Sequence, residues 1–370
     1  MKEVAIKEIC TKGSSSLKQK ELLPEGDYPV YGASGIAGYL DTFHQESNYI
    51  GIVKDGSGIG RVAFYPEKTS LIGTMQYILP KKGFNIRYIG YCLQSLDLSK
   101  YKQGAAIPHI YFRDYGERIV KVTDDENEQL SIVSRLDAAF AHIDSLKANA
   151  EKQLAEARQL FQTELAECMK PKEGWEEKKI KDIANVKGGK RVPKGYKLES
   201  TDTGHKYIRV SDFRDDGTID LSNILFISDE VYRQIKNYTI TSNDVYISIA
   251  GTIGKSGIIP ESLDGSNLTE NACKLVFTKL VDKRFIYLCT KSDDFKRQID
   301  KATKQASQPK LALTRLAEVV VYLPCIEKQQ KIVSRLDALS ANIKKLEEVQ
   351  RKTLAECDAL KQAMLKEVFE

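Results

Sequence analysis

The chain has 370 residues, of which 42% are apolar and 29% charged, and its formal net charge is +5. This length exceeds what one hydrophobic core usually serves, so about two domains are expected. No apolar run approaches the roughly 20 residues that cross a bilayer, and residues 1–20 lack the apolar core of a signal peptide. Membrane and secreted classes are therefore disfavoured, and the sequence predicts a cytoplasmic protein.

Cysteine and histidine are arranged in a way that argues against a disulfide framework and a zinc site. The seven cysteines are odd in number and nowhere spaced as Cys-x-x-Cys, and the four histidines lie far apart in the sequence. We therefore expect no metal ion and no disulfide.

Four segments follow one another along the chain. We assign a first globular block to 1–123, a long helix to 124–171, a second globular block to 172–325 and a second long helix to 326–370. Their formal net charges are +4, −5, +5 and +1. Basic blocks on a connector that is not basic are typical of modules that bind a polyanion, although many globular domains are mildly basic without binding one.

Within each block, short segments rich in Ile, Val, Tyr and Phe and bounded by Gly, Asp or Pro predict β-strands. Strands are expected at 48–53, 60–65, 76–79, 206–210 and 244–250, and short helices at 87–96 and 283–301. Each block should be a small mixed domain dominated by β-structure, and the fold class is α+β.

The two helical segments are copies of each other. The sequence Ile-Val-Ser-Arg-Leu-Asp-Ala occurs at 132–138 and again at 332–338, and the alignment extends without a gap over 129–170 and 329–370. The chain is therefore a tandem duplication in which one long helix closes each half.

Apolar residues recur in both copies at alternating steps of four and three, interrupted by Gln153 in the first copy and by Gln350 and Thr353 in the second, which predicts a heptad seam. The seam runs through Ile132, Leu136, Ala139, Ile143, Leu146, Ala150, Ala157 and Leu160, and through Ile332, Leu336, Leu339, Ile343, Leu346, Cys357, Leu360 and Met364. A block of about 150 residues is too small to carry the chain back along a rod of about 63 Å. The two helices should therefore pair antiparallel, with pseudo-twofold symmetry. The alternative is that each helix packs separately on its own domain.

A glycine-containing turn between short strands occurs in each block, at 57–61 and at 251–256. The second resembles the end of a phosphate-binding P-loop, but Ile249 stands where that motif requires glycine, which argues against nucleotide binding. A tight turn on a rigid strand pair suits contacts with DNA phosphates and base edges, and a plain hairpin turn is the alternative. The candidate DNA contacts are Lys54, Ser57 and Arg61 in the first block, and Thr252, Lys255 and Ser256 in the second.

Further basic and polar residues are candidate DNA contacts because Lys, Arg and Gln side chains bind phosphates or read base edges. They are Lys102, Gln103, His109, Tyr111 and Arg113 in the first block, and Lys190, Arg191, Arg209, Lys304, Gln305, Ser307, Gln308 and Lys310 in the second. The alternative for each segment is an ordinary solvated loop.

Motifs of three catalytic classes are absent from the sequence. It contains no Asn-Pro-Pro-Tyr or Asp-Pro-Pro-Tyr methyltransferase motif, no glycine-rich methylase cofactor loop, and no Pro-Asp followed by Glu-x-Lys of a nuclease. We therefore expect a binding protein without catalytic residues and without a cofactor of its own.

Several phrases spread over essentially the whole chain resemble one family, the specificity subunits of type I restriction-modification systems. They are Tyr-Pro-Val-Tyr-Gly-Ala-Ser-Gly at 28–35, Lys-Tyr-Ile-Arg-Val-Ser-Asp at 206–212, Gly-Thr-Ile-Gly-Lys at 251–255, Leu-Pro-Cys-Ile-Glu-Lys-Gln-Gln at 323–330, and the two Ile-Val-Ser-Arg-Leu-Asp helices. One departure is that no proline precedes the first helix, in 122–129.

This resemblance implies that each block is a target recognition domain reading one half of a split double-stranded DNA target, with the helices holding the two at a fixed separation. It also implies that the helices dock two methylation subunits, which use S-adenosylmethionine, and that two restriction subunits using ATP and Mg can join. By analogy with the family, Ser57, Arg61, Thr252, Lys255 and Ser256 are the better-supported DNA contacts.

Some repeated residues lie outside the heptad seam. They are Ser134, Arg135 and Asp137 in the first helix and Ser334, Arg335 and Asp337 in the second. Because a pure spacer would not need their identity, we predict that they form a docking surface presented twice, to two copies of one methylation subunit.

Two functions of other classes stay open at this point. One is a coiled-coil scaffold whose two end domains bind proteins. The other is an enzyme, either a fused methylase and nuclease or an ATPase, that happens to carry a coiled coil.

Overall fold

The structure, a computed structural model, describes residues 1–104, 108–303 and 309–370. The chain divides into two compact units. Unit 1 consists of Met1–Gln153 and Glu348–Glu370, and unit 2 of Leu154–Glu347.

Unit 1 is built from nine strands and three short helices among its described residues, together with parts of two long helices. The strands are β1 (Lys2–Ala5), β2 (Cys10–Ser14), β3 (Tyr28–Gly32), β4 (Gly35–Leu40), β5 (Tyr49–Val53), β6 (Val62–Tyr65), β7 (Ser70–Leu71), β8 (Met75–Pro80) and β9 (Ile119–Val122). The helices are α1 (Ile6–Ile9), α2 (Ile86–Ser95), α3 (Phe112–Tyr115) and the long α4 (Glu126–Met169).

The strands of unit 1 form three sheets. An antiparallel sheet has the order β2-β8-β5-β6, a second has the order β4-β3-β7 with β3 and β7 parallel, and β1 pairs with β9. Helix α2 packs on the first sheet and places Tyr88, Ile89 and Cys92 in its core. The loops between these strands are thereby held on a rigid frame.

Unit 2 repeats this plan. Its strands are β10 (Glu176–Lys179), β11 (Ala184–Gly188), β12 (Lys206–Ile208), β13 (Leu225–Phe226), β14 (Thr239–Ile240), β15 (Val245–Ser248), β16 (Ser256–Gly257), β17 (Ser266–Leu268), β18 (Ala272–Phe277) and β19 (Val320–Leu323). Its helices are α5 (Ile180–Ile183), α6 (Asp229–Ile235), α7 (Lys283–Lys291), α8 (Asp293–Ala302), α9 (Leu313–Ala317) and the long α10 (Ile326–Phe369).

The sheets of unit 2 correspond to those of unit 1. The order β11-β18-β15-β16 matches β2-β8-β5-β6, the parallel pair β12 and β17 matches β3 and β7, and β10 pairs with β19 as β1 pairs with β9. The second sheet is larger here, with the order β13-β12-β17-β14. The duplication predicted from the helices therefore extends to both β-rich parts, and the α+β class is confirmed.

In each unit, segments of the two long helices run antiparallel. In unit 1, Lys147 Nζ lies 2.7 Å from Asp358 Oδ1, and Lys361 contacts Asp144. Higher residue numbers on α4 thus meet lower numbers on α10. In unit 2, Arg158 Nη2 lies 2.8 Å from Glu347 Oε1 and Arg335 Nη2 lies 2.7 Å from Glu164 Oε1, which repeats the antiparallel sense.

The predicted heptad seam is only partly correct. Leu136 and Leu336 are buried, but Leu146 and Leu160 are each 55% exposed and Leu360 is 51% exposed. A straight helix drifts about 20° per heptad relative to a 3.5-residue repeat, so a stripe that starts in the interface leaves it after a few heptads. Leu165, which is not a position of the predicted seam, is buried instead.

The helix predicted over 283–301 is two helices, α7 and α8, which meet at Ser292. The Ser292 backbone is extended, and its hydroxyl accepts a hydrogen bond from the Phe295 amide, which caps the start of α8. Serine followed by two aspartates is a helix-start signal, because these side chains satisfy and favour the free amide groups of the first turn.

Candidate nucleic-acid interface

The turn between β5 and β6 in unit 1 matches the turn between β15 and β16 in unit 2. Gly60 has a φ of 84° and donates its amide to the Val53 carbonyl at 2.8 Å. Gly254 has a φ of 87° and donates to the Ser248 carbonyl at 2.9 Å. Both glycines adopt the left-handed conformation that side chains disfavour, so the two hairpins close in the same way.

The candidate residues of the unit 1 turn differ in exposure. Ser57 and Arg61 are exposed, whereas Lys54 is half-buried. The Lys54 carbonyl accepts a hydrogen bond of 3.0 Å from the Ile110 amide, which ties the turn to the segment from Lys102 to Arg113. The turn and this segment therefore share one surface, although they lie far apart in sequence.

Residues 102–104 and 108–113 make several side-chain contacts. His109 contacts the Asp55 carboxylate of the turn, and its ring lies 4.2 Å from the Tyr111 ring. The Arg113 guanidinium lies over Tyr111 at 4.6 Å. Two further candidates, Lys102 and Gln103, are exposed, and the Gln103 amide donates to Asp114 at 2.9 Å. His109 holds the segment against the turn, while Tyr111 and Arg113 stay open to a ligand.

The unit 2 turn bears out the hairpin geometry but not every candidate. Thr252 is exposed, and Lys255 lies 2.7 Å from the Asp215 carboxylate. The hydrogen bond from Lys255 lowers the pKa of Asp215. Ser256 is fully buried and its hydroxyl bonds Thr290 Oγ1 at 2.6 Å, so the prediction that Ser256 contacts DNA is wrong. The residues after Lys255 enter a strand, whereas a P-loop leads into a helix.

Lys310 lies beside this turn, where it forms a backbone bridge with Ala250. Next to it, the Leu311 amide donates to the Ile249 carbonyl at 2.9 Å, as Ile110 does to Lys54 in unit 1. The same connection therefore flanks the turn in both units. The other candidates of this segment lie outside the described residues: Lys304, Gln305, Ser307 and Gln308.

Three arginine and lysine candidates lie near the connections that follow β11, β12 and β17. Lys190 is exposed and its ammonium lies 5.6 Å from the centre of the Tyr238 ring. Arg191 Nε donates to Glu270 at 2.5 Å. Burial alone would raise the pKa of Glu270, but hydrogen bonds such as that from Arg191 outweigh burial and lower it.

Arg209 forms hydrogen bonds within its own unit. Its Nε and Nη2 atoms donate to the Asp212 carboxylate at 3.2 and 2.6 Å, and Nη2 also donates to the Asn223 carbonyl at 2.8 Å. Asp212 is buried, so breaking this pair would leave a buried charge without a partner. The structure explains Arg209 as a structural residue rather than as a DNA contact.

The repeated residues of the helices also prove to have internal partners. Asp137 accepts a hydrogen bond of 2.5 Å from Arg87 Nη2 of α2, and Asp337 accepts one of 2.8 Å from Arg284 Nη2 of α7. Arg87 and Arg284 occupy equivalent positions, so each unit fastens its long helix to its core in the same way. This ion pair gives the identity of both aspartates a structural explanation, and each side chain stays 38% exposed.

The remaining residues of the predicted docking surface are exposed. Ser134, Arg135 and Ser334 face away from the cores, and Arg335 is ion-paired with Glu164 of α4. At the position in unit 1 that corresponds to Glu164 stands Met364, and no ion pair of Arg135 is found among the described residues. The repeated surface is therefore not electrostatically identical in the two units.

Metal and membrane features are not found in the part of the chain that the structure covers. Residues 1–104, 108–303 and 309–370 contain no cluster of three or more His, Cys, Asp or Glu side chains that could hold a metal ion. No helix within these ranges is long and apolar enough to cross a bilayer.

Comparison with known proteins gives a consistent result. A family model described as the type I restriction modification DNA specificity domain matches residues 1–156 and again residues 172–356. The chain is similar to the type I restriction enzyme EcoBI specificity subunit of Escherichia coli, with 27% identity over 269 residues. That match covers 65% of this chain and 56% of the Escherichia coli subunit, so the chain spans little more than half of that relative's length.

Two further proteins are similar over nearly the whole chain. The type I restriction enzyme MjaVIII specificity subunit of Methanocaldococcus jannaschii is 23% identical over 397 aligned positions, covering 97% of this chain and 89% of that subunit. A solved chain from work on complex assembly and conformational transition of the type I R-M system has a TM-score of 0.75 at 16% identity. That structural match covers 99% of this chain and 97% of the other, and it shows a shared fold.

Proposed function

Because the chain belongs to the type I restriction-modification DNA specificity family and carries its domain twice, we propose that it reads a bipartite double-stranded DNA target for a methylating complex. The target recognition domains are residues 1–123 and 172–325, and each reads one half of the target. The chain itself catalyses nothing and carries no cofactor, and it acts in the cytoplasm.

The observation that carries this proposal is a basic hairpin turn at the same place in both units. Arg61 and Lys255 occupy equivalent positions at the end of the turn, and a basic segment from the same connection flanks each one. Cationic side chains on two rigid turns suit contacts with DNA phosphates, which supply much of the affinity of such complexes. Asp215 is exposed, and its ion pair with the half-buried Lys255 is weak enough for a phosphate to displace the carboxylate.

The set of proposed DNA contacts is smaller than the set expected from the sequence. In unit 1 they are Lys54, Ser57, Arg61, Lys102, Gln103, Tyr111 and Arg113, with His109 as a positioning residue. In unit 2 they are Lys190, Arg191, Thr252, Lys255 and Lys310. Lys304, Gln305, Ser307 and Gln308 belong to the same connection as Lys310 and stay in the proposal on sequence grounds.

The long helices are proposed to dock two methylation subunits, which would bring S-adenosylmethionine, and restriction subunits that use ATP and Mg can join them. A surface presented twice is what two copies of one partner require. Leu160 and Leu360 are equivalent in the repeat and are both exposed, which supports this role better than the ion-paired Asp137 and Asp337. Ser134, Arg135, Ser334 and Arg335 complete the proposed surface.

The test is to express the chain together with a methylation subunit of this family in a host without restriction-modification, and to map methylated bases across the genome. A split motif that appears only when both proteins are present supports the proposal. Methylation by the partner alone at the same motif would contradict it. Binding of S-adenosylmethionine or hydrolysis of ATP by the purified chain would favour an enzyme, and binding of proteins but never of DNA would favour a scaffold.

A further inference from the structure

An open groove lies at the same place in both units, next to the basic hairpin turn. In unit 1 it is lined by residues 15–19, 32–37 and 72–74. In unit 2 its walls are formed around Arg191 and Tyr196, by residues 209–211, and by residues 269–271. Each groove is thus formed by the connections that follow β2, β3 and β7 in unit 1, or β11, β12 and β17 in unit 2.

Backbone hydrogen bonds establish that the two grooves are equivalent. The Ile72 amide donates to the Tyr31 carbonyl at 2.9 Å, and the Thr269 amide donates to the Ile208 carbonyl at 3.0 Å. The same bonds place Thr74 of unit 1 at the position of Asn271 in unit 2.

Each groove is joined directly to the turn beside it. The Thr74 carbonyl accepts the amides of Lys54 and Asp55 at 3.0 and 3.2 Å. The Asn271 carbonyl accepts the amides of Ile249 and Ala250 at 2.8 and 3.2 Å. A DNA duplex held by the turns would therefore meet the grooves as well.

The two grooves share a backbone but differ in chemistry. Where unit 1 has Leu17 and Gly73, unit 2 has Arg191 and Glu270. In unit 1 the backbone leaves no room for a side chain at position 73, since a Cβ on Gly73 would lie 2.9 Å from the Leu17 carbonyl oxygen. The hairpins and the helix anchors are retained in both halves of this duplicated chain. A change in charge at the grooves therefore indicates that the two grooves bind different chemical groups.

Arg191 is arranged to present its guanidinium outward. Its side chain is 76% exposed, while Glu270 is only 24% exposed and is further held by the Thr269 hydroxyl at 3.0 Å. Because Glu270 takes up the Nε–H group, the terminal nitrogens of Arg191 stay available at the mouth of the groove. A bidentate pair of donors is what the O6 and N7 atoms of guanine accept in the major groove.

A phosphate contact fits this pair less well than a base contact. Unlike Asp215 beside Lys255, which is 89% exposed, Glu270 is largely covered and held by Thr269, so a phosphate cannot easily displace it. A carboxylate that stays beside the guanidinium weakens its attraction to the DNA backbone and repels a phosphate on the same side. The same carboxylate fixes the direction of the guanidinium, as the reading of a base edge requires.

On the basis of the proposed function, we propose that Arg191 reads a guanine in the half of the target recognised by unit 2, and that Glu270 is the residue that positions it. The groove of unit 1 has no charged counterpart at either position, so the corresponding base pair of its half-site is read by other means.

The experiment uses the full chain co-expressed with its methylation subunit, with genome-wide mapping of methylated bases as the readout. Arg191→Gln should relax one G·C position of one half-site by roughly tenfold or more, with the other half-site unchanged. Arg191→Lys keeps the charge but lacks the planar fork, and should relax the same position. Glu270→Gln should relax that position more weakly. Arg214→Gln is the matched control, because Arg214 forms an exposed ion pair with Asp220 elsewhere in unit 2.

The outcomes separate this inference from the proposed function. Retention of the G·C position in Arg191→Gln, or full rescue of it by lysine, would overturn the reading role while leaving a chain-dependent motif intact. A variant that assembles and keeps its thermal transition but loses methylation at every site equally would also overturn it, because that result describes an anchor. Absence of any chain-dependent motif with the wild-type chain would instead defeat the proposed function.

Discussion

One buried glutamine holds the start of each long helix. Gln129 Oε1 accepts the Asn85 amide at 2.7 Å, and its Nε2 donates to the carbonyls of Gly83 and Thr123 at 2.9 and 3.0 Å. Gln329 accepts the Asp282 amide and donates to the Pro324 carbonyl, both at 2.9 Å. Asn85 and Asp282 are the residues that cap α2 and α7, so one side chain joins two helix starts.

We expect Gln129→Leu to destabilise the chain by about 1–3 kcal/mol, because the buried Thr123 carbonyl and the half-buried Asn85 amide lose their partner, as does the Gly83 carbonyl. The free energy of unfolding from urea titration would measure this loss. Gln330→Leu, at an exposed neighbour of Gln329, is the control and should change little. Equal stability of the two variants would mean that water or backbone movement replaces the glutamine.

An ion-pair cluster on the surface of unit 2 gives a clear dependence on pH. Glu318 accepts hydrogen bonds from Lys179 and Lys181 at 2.7 and 2.5 Å, and these lower its pKa from an ordinary 4.5 to about 2. A depressed pKa means that the ionised carboxylate favours the folded state. The stabilisation is present at pH above about 4.5 and is lost as the pH falls toward 2.

Accordingly, Glu318→Gln should reduce stability at pH 7 and should have a smaller effect at pH 3. Urea unfolding of wild type and variant at both pH values would measure the two differences. The exposed Glu261→Gln serves as the control for loss of one charge. A difference that grows on acidification would contradict the sign derived from the lowered pKa.

At the scale of the helices, the apolar residues of α4 divide into two classes that the sequence does not distinguish. Leu160 is 55% exposed and Leu165 is 1% exposed, although both leucines recur in the second copy of the repeat. Only the buried class should contribute packing energy.

Leu165→Ala should cost about 2–5 kcal/mol, the range found for buried leucines, because it removes buried methyl groups and leaves a cavity. Leu160→Ala should change the free energy of unfolding by less than about 0.5 kcal/mol. Thermal and urea unfolding of the two single variants would make the comparison. A large loss for Leu160→Ala would mean that the predicted heptad seam was correct after all.

The sequence predicted the positions of strands and helices better than it predicted which side of a long helix is buried. The strand expected at 48–53 is Tyr49–Val53, and the helix expected at 87–96 is Ile86–Ser95. Apolar composition and turn residues are local properties, so the positions of strands and short helices can be predicted from the sequence. The phase of a long helix accumulates over many turns, and small departures from a 3.5-residue repeat move Leu160 out of the interface.

Site residues were harder to predict, because the sequence does not show which distant side chain a charged or polar residue contacts. The sequence does not show that Asp137 pairs with Arg87 of α2. Nor does it show that Ser256 is buried and hydrogen-bonded to Thr290. The groove residue Glu270 was missed, since a single glutamate in a loop gives no signal. Only its contact with Arg191 distinguishes it.

At the scale of the whole molecule, the duplication separates what is kept from what is changed. Hairpin turns, buried glutamines and the anchors of the long helices occur in both units, while the groove linings differ in charge. Such a division is expected of a protein that presents two readers of different sequence on equivalent frames.

If both units contact DNA through their turns, neutralising one turn should weaken binding without abolishing it. Lys54→Ala with Arg61→Ala removes charge from unit 1, and Lys255→Ala with Lys310→Ala removes charge from unit 2. Each lost phosphate contact should reduce the slope of log affinity against log salt by about 0.9. The measurement is fluorescence anisotropy of the assembled methylating complex on a duplex carrying its own motif, at several salt concentrations.

The two neutralised pairs should also combine in a defined way. Contacts made by separate units share no side chains. The losses in binding free energy of the two pairs should therefore add in the quadruple variant within about 0.3–0.5 kcal/mol. Lys12→Ala with Lys236→Ala removes one exposed charge from each unit away from the turns and should leave the slope nearly unchanged. If one pair of turn substitutions changes neither affinity nor slope, the unit that carries it does not hold DNA by its hairpin. The equivalence of the two turns would then be inherited from the duplication and not used.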